Sequence, residues 1–75
     1  MTSILQLFGE RLHLIRTQNG ISQETLADMA ELDRTYISML EHGKRNPSLK
    51  CIYNISRALN VSLHELVPET LRLNE

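Results

Sequence analysis

The sequence predicts an all-α fold of five short helices, built as one domain over residues 1–75. Apolar residues recur at intervals of three and four, which is the spacing of a helix buried on one side. Most of these segments begin after a serine or aspartate and end at glycine or asparagine, the residues that cap helices. No segment alternates apolar and polar residues in the manner of a half-buried strand. A chain of 75 residues leaves room for one domain.

The first helix is predicted over residues 4–19, and Gly20 ends it as a C-cap type residue. Its apolar positions follow helical spacing: Leu5, Phe8, Leu12 and Ile15. The second helix is predicted over residues 23–30, with Ser22 as its N-cap. This helix has one apolar face, made of Leu26, Met29 and Ala30.

The third helix is predicted over residues 34–42, between Asp33 as N-cap and Gly43. Its apolar residues are spaced by three or four positions or adjoin one another: Tyr36, Ile37 and Leu40. A loop over residues 44–47 follows.

The fourth helix begins after Ser48 and ends at Asn60. The side chains expected to face inward are Leu49, Ile52, Ile55, Ser56 and Leu59. Residues 62–65 form a capping box that opens a short fifth helix, and Pro68 stops it. The tail over residues 69–75 is either a further helical turn or a frayed end.

Residues 31–33 join the second and third helices, and this short connection favours a helix-turn-helix over residues 22–43. Helices joined by about three residues cross at a steep angle, because they cannot fold back antiparallel with full overlap. The close crossing needs a small side chain, which Ala27 provides. The other buried positions expected of the motif are apolar: Leu26, Ala30, Leu32, Ile37 and Leu40.

Two segments carry a resemblance to a known family. SQETLA at residues 22–27 and YISMLEHGKRNPS at residues 36–48 resemble the Cro/repressor-type (XRE) helix-turn-helix regulators. LDRTYIS at residues 32–38 is similar to the controller proteins of restriction–modification systems. The resemblance covers roughly residues 8–66 and implies a five-helix, lambda-repressor-like DNA-binding domain.

The resemblance also implies roles for particular residues. Gln23 would contact a DNA phosphate, and Arg16 and Glu41 would form a structural ion pair that ties the first helix to the third. The chain departs from the family at the turn, where Glu31 replaces the usual glycine. If the backbone at this position is left-handed, glutamate costs about 1 kcal/mol relative to glycine.

The local distribution of charge along the chain favours DNA as a partner, whereas the net charge of the whole chain does not. The formal net charge is -1, whereas residues 34–50 carry Arg34, Lys44, Arg45 and Lys50 against Glu41. A local basic patch can attract phosphate even when the whole chain is nearly neutral. A solvated basic turn is the alternative explanation of this window.

The predicted DNA contacts fall into two groups. The second helix of the motif enters the major groove, and its expected base contacts are Arg34, Thr35, Ser38 and Met39. The expected contacts to the DNA backbone are Gln23, Tyr36, Lys44, Arg45 and Asn46. Three alternatives stay open: Arg34 could bind a phosphate or Asp33, Met39 could face solvent, and Tyr36 could be half-buried.

A second copy of the chain is the other predicted partner. One helix in one groove reads too few base pairs for specific binding, whereas a two-fold dimer reads a palindromic operator with half-sites roughly 34 Å apart. Apolar residues over about residues 48–73 exceed what a small monomer buries. The predicted interface residues are Tyr53, Leu63, Leu66, Val67 and Leu71, although we expect Leu63 or Leu66 to pack within the chain.

Several other functions are not predicted. A single cysteine, Cys51, rules out an internal disulfide, and the three histidines are expected to be surface residues rather than metal ligands. We find no catalytic constellation, cofactor motif, ligand-binding domain after Leu73 or membrane span, and we expect a bacterial or phage protein in the cytoplasm, at the nucleoid. The predicted function is a dimeric, sequence-specific transcriptional regulator, controlling a restriction–modification gene and its own promoter. The alternative is an antitoxin or another partner-binding module on the same fold, and an enzyme is the weakest reading.

Overall fold

A computed structural model of the protein describes residues 3–67. Within this range the chain forms five α-helices and no strand, so the predicted all-α fold is confirmed. The helices are α1 (Ile4–Gln18), α2 (Gln23–Ala30), α3 (Arg34–Glu41), α4 (Leu49–Leu59) and α5 (Leu63–Leu66). Two of the predicted ends are one residue too long, because Asn19 and His42 are C-caps rather than helical residues.

Each helix begins at a side chain that accepts a backbone N–H. Serine does this in α1, α2, α4 and α5, and Asp33 does it in α3, where its carboxylate accepts the Thr35 N–H at 3.0 Å. Such caps satisfy one of the backbone donors that have no partner inside the helix. The predicted capping box of α5 is present, and α1 has another between Ser3 and Gln6.

The helices α1 to α4 all end in the same way. Each is followed by one residue in the left-handed conformation, and the N–H of the next residue bonds back to a carbonyl of the last turn, which is a Schellman motif. Glycine serves twice, but α2 and α4 end at Glu31 (φ 59°) and Asn60 (φ 57°). The condition under which Glu31 is strained is therefore met.

The core takes at least one fully buried side chain from every helix. These side chains are Leu12 of α1, Leu26 of α2, Ile37 and Leu40 of α3, Ile55 of α4 and Leu66 of α5. Ala27 is also buried, as the close crossing of α2 and α3 requires. The helix α3 packs against both α1 and α2, and α4 packs against α2 and α5.

Three sequence predictions about burial are wrong. Leu66 is completely buried, so it presents no surface to a second copy, although the expectation that Leu63 or Leu66 packs within the chain is confirmed. Met29 is 53% exposed because the apolar face of α2 is completed by Ala27 instead. Leu49 is 74% exposed because the buried face of α4 is centred on Cys51, Ile55 and Leu59, and Leu49 lies to one side of it.

The backbones of α1 and the end of α3 approach each other closely at Gly9. A Cβ atom placed on Gly9 would stand 2.4 Å from the carbonyl oxygen of Leu40 and 2.6 Å from that of Glu41. Glycine at this position lets the backbone of α1 rest directly on the last turn of α3. The α1 helix thereby fixes the position of the helix that carries the predicted base contacts.

Candidate nucleic-acid interface

The helix α3 is divided between the core and the surface. Ile37 and Leu40 are completely buried and hold the helix in place. Arg34 and Thr35 on the first turn are exposed, whereas Ser38 and Met39 are partly exposed. All four predicted base contacts therefore have surface available to a ligand.

A polar cleft of about 180 Å³ brings three of these residues together with a predicted backbone contact. Its lining is Gln23 from the start of α2 and Arg34, Thr35 and Ser38 from α3. This group is called the α2–α3 cleft below. Its guanidinium, amide and hydroxyl groups are the side-chain types that hydrogen-bond base edges and phosphate oxygens.

A second cleft, of about 510 Å³, lies on the other side of α3 and is called the α3–α4 cleft. Thr35, Tyr36, Met39 and Arg45 line it, together with residues of the turn before α3 and the start of α4. The guanidinium of Arg45 lies 5.0 Å from the centroid of the Tyr36 ring, a distance that allows a cation–π interaction. Arg45 is therefore held beside α3 although it belongs to a loop.

The Tyr36 ring is partly buried, which agrees with the alternative left open for it. Burial, followed by a hydrogen bond with the Cys51 side chain, raises the pKa of the Tyr36 hydroxyl above its ordinary value. Burial also raises the pKa of the Cys51 thiol. Both groups are neutral at physiological pH, and the phenol keeps a proton to donate.

Two of the predicted backbone contacts lie outside these clefts. Asn46 lines an apolar cleft between α1, the α3–α4 loop and α4, with Ile4, Leu5, Phe8, Pro47, Ile52 and Val67. Lys44 is exposed, and its backbone N–H bonds to the Met39 carbonyl at 2.9 Å. Of the predicted backbone contacts, Gln23, Tyr36 and Arg45 therefore line the two clefts beside α3, whereas Lys44 and Asn46 do not.

Glu41 at the end of α3 is the centre of a buried polar network. Its side chain is 3% exposed, and Arg16 of α1 donates from Nε to Oε2 (2.5 Å) and from Nη2 to Oε1 (3.1 Å). Gln23 donates from Nε2 to Oε1 at 3.1 Å. The ion pair implied by the resemblance is therefore present, and it also ties down the first side chain of α2.

The pKa of Glu41 reflects these contacts. Burial by itself would raise it, but hydrogen bonds from Arg16, His13 and Gln23, with the Arg16 charge, outweigh burial and hold the pKa below its ordinary value. Glu41 is therefore a carboxylate at neutral pH, and it fixes the orientation of the Gln23 amide at the edge of the α2–α3 cleft.

A fourth cleft, of about 310 Å³, adjoins this network and was not predicted from the sequence. It is lined by Glu10, His13, Gln23, Glu41 and His42, and is called the histidine cleft below. His13 Nδ1 lies 3.0 Å from Glu41 Oε1. The spacing of His13 three residues before Arg16 places both on one face of α1, and this was a usable signal.

Comparison with known proteins identifies the family. The helix-turn-helix family matches residues 12–66, which include the whole motif and the Glu41 network. This chain belongs to the helix-turn-helix family. The predicted class of DNA-binding transcriptional regulators is confirmed by this match and by its relatives.

The relatives of this helix-turn-helix protein include several control proteins. It is 45% identical to the control protein C.BamHI of Bacillus amyloliquefaciens, over 91% of this chain and 85% of that one. It is 43% identical to the control protein C.MunI of a Mycoplasma species, over 88% and 90%. The crystal structure of the restriction–modification controller protein C.AhdI from Aeromonas hydrophila is 47% identical and superposes with a TM-score of 0.82, over 83% of this chain and 94% of that one.

The residues predicted to form a dimer of the helix-turn-helix protein lie on α4 and around α5. Tyr53 is 46% exposed and Leu63 is 37% exposed, whereas Val67 is partly buried. Arg57 holds the Tyr53 ring, with Nη1 donating to the phenol oxygen at 3.1 Å. Leu71 lies outside the described residues.

Residues 3–67 contain neither a metal-ligand cluster nor a membrane-spanning helix. No cluster of three or more histidine, cysteine, aspartate or glutamate side chains in this range could hold a metal ion. No helix in the described range has the length and apolar character needed to cross a bilayer.

Proposed function

We propose that this helix-turn-helix protein is a dimeric controller of restriction–modification genes that binds a palindromic operator, including one at its own promoter. The observation that carries the proposal is the α2–α3 cleft, which places Arg34, Thr35 and Ser38 beside Gln23 on one exposed surface. The names of the control proteins most similar to this chain support the gene class.

On DNA, the exposed first turn of α3 enters the major groove. Arg34 offers two parallel N–H donors to O6 and N7 of a guanine, and the Thr35 methyl packs against a thymine methyl. Ser38 and Met39 follow one turn later along the groove. Each well-placed bidentate pair contributes about 1–3 kcal/mol of discrimination against the wrong base.

Contacts to the sugar–phosphate backbone on both sides of α3 set its register. Gln23, held by Glu41, contacts one strand, and Arg45, stacked on Tyr36, contacts the other. Lys44 and Asn46 add donors in the loop after α3. These contacts carry affinity and salt dependence but no base preference.

The proposal is tested first by selecting duplexes from a random pool at near-physiological salt and sequencing them. We expect a symmetric motif whose two half-sites are roughly 34 Å apart, which is one turn of B-DNA. The enriched motif should occur upstream of its own gene and of a neighbouring endonuclease gene. Folded protein that enriches no sequence would contradict the proposal and favour the partner-binding alternative.

The dimer surface is tested with Tyr53→Glu and Leu71→Glu. A charge placed in a buried interface should raise the dimer dissociation constant at least about 30-fold and leave each protomer folded. Sedimentation equilibrium gives the constant and circular dichroism gives the helix content. Leu14→Glu, which alters a similarly exposed residue on α1, is the control and should stay dimeric. Unchanged dimerisation of Tyr53→Glu and Leu71→Glu would overturn this assignment.

A further inference from the structure

The histidine cleft is continuous with the predicted DNA surface. Gln23 lines both the α2–α3 cleft and the histidine cleft, so the two share a wall. A phosphate that contacts Gln23 therefore lies next to the histidine cleft as well. This argument rests on the proposed function, in which Gln23 meets a phosphate.

Both histidines have the same ring nitrogen engaged by the protein. His42 Nδ1 lies 2.7 Å from the Ser38 carbonyl oxygen, which requires that Nδ1 carry the hydrogen. His13 Nδ1 lies 3.0 Å from Glu41 Oε1, and because a carboxylate oxygen only accepts, this contact is a hydrogen bond when Nδ1 carries the hydrogen, as in His42. In each ring Nε2 is then the atom that takes up a second proton, and it becomes a donor when it does so.

The charge of the cleft depends on these two protons. On the α1 side the cleft is lined by Glu10. The guanidinium of Arg16 lies behind His13, with Nη2 3.2 Å from His13 Nδ1. On the α3 side the cleft is lined by Glu41. The α2 residue in its lining, Gln23, is uncharged. With neutral imidazoles the two carboxylates and one guanidinium give a net charge of about -1, and with both imidazoles protonated the net charge is about +1.

A cleft that is negative at alkaline pH repels a phosphate, and the same cleft attracts one when both imidazoles are charged. We propose that the histidine cleft binds a backbone phosphate of the DNA duplex, with His13 and His42 as proton-dependent donors, so that DNA affinity rises as the pH falls. The contact is to the backbone, and it therefore acts on any duplex sequence.

The test measures dissociation constants for two short duplexes, the operator recovered by selection and a scrambled sequence. Each is measured at about pH 6 and about pH 8, on either side of imidazole titration, at several salt concentrations. For the wild type we expect binding about tenfold tighter at the lower pH, and a salt slope steeper by about 0.9 for each added phosphate contact. Addition of either duplex should shift the NMR signals of the His13 and His42 rings.

The variant His13→Gln/His42→Gln keeps a neutral hydrogen-bonding side chain at both positions and cannot take up the protons. Its affinity ratio between the two pH values should fall to less than about twofold, measured on protein that circular dichroism shows to be folded at both pH values. His64→Gln, on α5 outside the cleft, is the matched control and should keep the wild-type ratio. The single variants should each lose part of the effect.

The outcomes separate this inference from the proposed function. Operator binding with equal affinity and salt slope at both pH values would overturn the phosphate site and leave the controller function standing. A tenfold pH effect on the scrambled duplex, together with no selected operator, would support the site and contradict the controller function. A pH effect that the double variant retains would assign the titration to other groups and overturn the inference.

Discussion

The two ends of α3 are built in opposite ways. At its start, Arg34 and Thr35 are exposed, and one cap from Asp33 to the Thr35 N–H fixes the first turn. At its end, Glu41 is buried under three side chains from α1 and α2, and the backbone of α1 rests on the last turn at Gly9. The start is free to meet a ligand, whereas the end is fixed to the scaffold.

This contrast shows how a helix can present exposed contact residues and still keep a fixed position. The side chains that contact bases cannot also be buried, so their position has to come from elsewhere in the same helix. Burial of Ile37 and Leu40 and the Glu41 network supply it. Substitutions at the fixed end should accordingly lower the stability of the fold. Substitutions at the free end should lower the affinity for DNA.

The largest expected effect comes from Arg16→Ala, which leaves the buried Glu41 carboxylate without its counter-charge. Removing one partner of a buried ion pair costs about 3–5 kcal/mol of unfolding free energy, measured by urea denaturation. Arg11→Ala, on the same helix, removes an exposed hydrogen bond to the Glu65 carbonyl and should cost about 1 kcal/mol or less. Loss of DNA binding by Arg16→Ala at wild-type stability would instead make Arg16 a DNA contact.

A smaller loss is expected from Gly9→Ala. The added Cβ meets the backbone carbonyls of Leu40 and Glu41, which cannot rotate away, so α1 and α3 must separate. Overpacking of this kind costs about 1–3 kcal/mol, and it should also weaken operator binding because α3 tilts. Gly20→Ala is the comparison: its Cβ meets open space, and it carries a conformational cost of about 1 kcal/mol at φ +70°. If Gly9→Ala lost no more stability than Gly20→Ala, the close approach would not hold α3.

The smallest effect, and a favourable one, is expected from Glu31→Gly. Glycine relieves the left-handed backbone at φ 59° and ψ 43° and should add about 1 kcal/mol, or roughly 4–8 °C in Tm for a domain of this size. Asn60→Gly tests the same conformation at φ 57° and ψ 44°, and it should gain less because asparagine tolerates this region better. A lower Tm for Glu31→Gly would mean that its side chain stabilises the turn.

Local signals predicted the helices well because caps and apolar spacing act within a few residues. Asp33, Ser48 and Ser62 start helices as predicted, and the left-handed turn at Glu31 matches the condition set from the sequence. Burial was harder to predict: Met29 and Leu49 have the right spacing, but which side of a helix is covered depends on neighbours distant in the chain.

The part of the proposed DNA surface that lies on a single helix, α3, could be predicted from the sequence. Arg34, Thr35 and Ser38 follow from their places on α3, and the Arg16–Glu41 pair came from the family resemblance. The histidine cleft was missed because His13, Gln23 and His42 belong to three regions of the sequence that meet through tertiary packing. The one signal in the sequence was the place of His13 three residues before Arg16, taken together with the Arg16–Glu41 pair that the resemblance implies.

The separation within α3 also has an evolutionary consequence. None of the side chains proposed to contact bases belongs to the buried core of α3, so substitutions at Arg34, Thr35 or Ser38 should change the preferred DNA sequence with little penalty in folding. Copies of the gene can then diverge in operator preference by single steps, each of which yields a folded protein. Regulators that diverge in this way would keep a common scaffold and bind different operators.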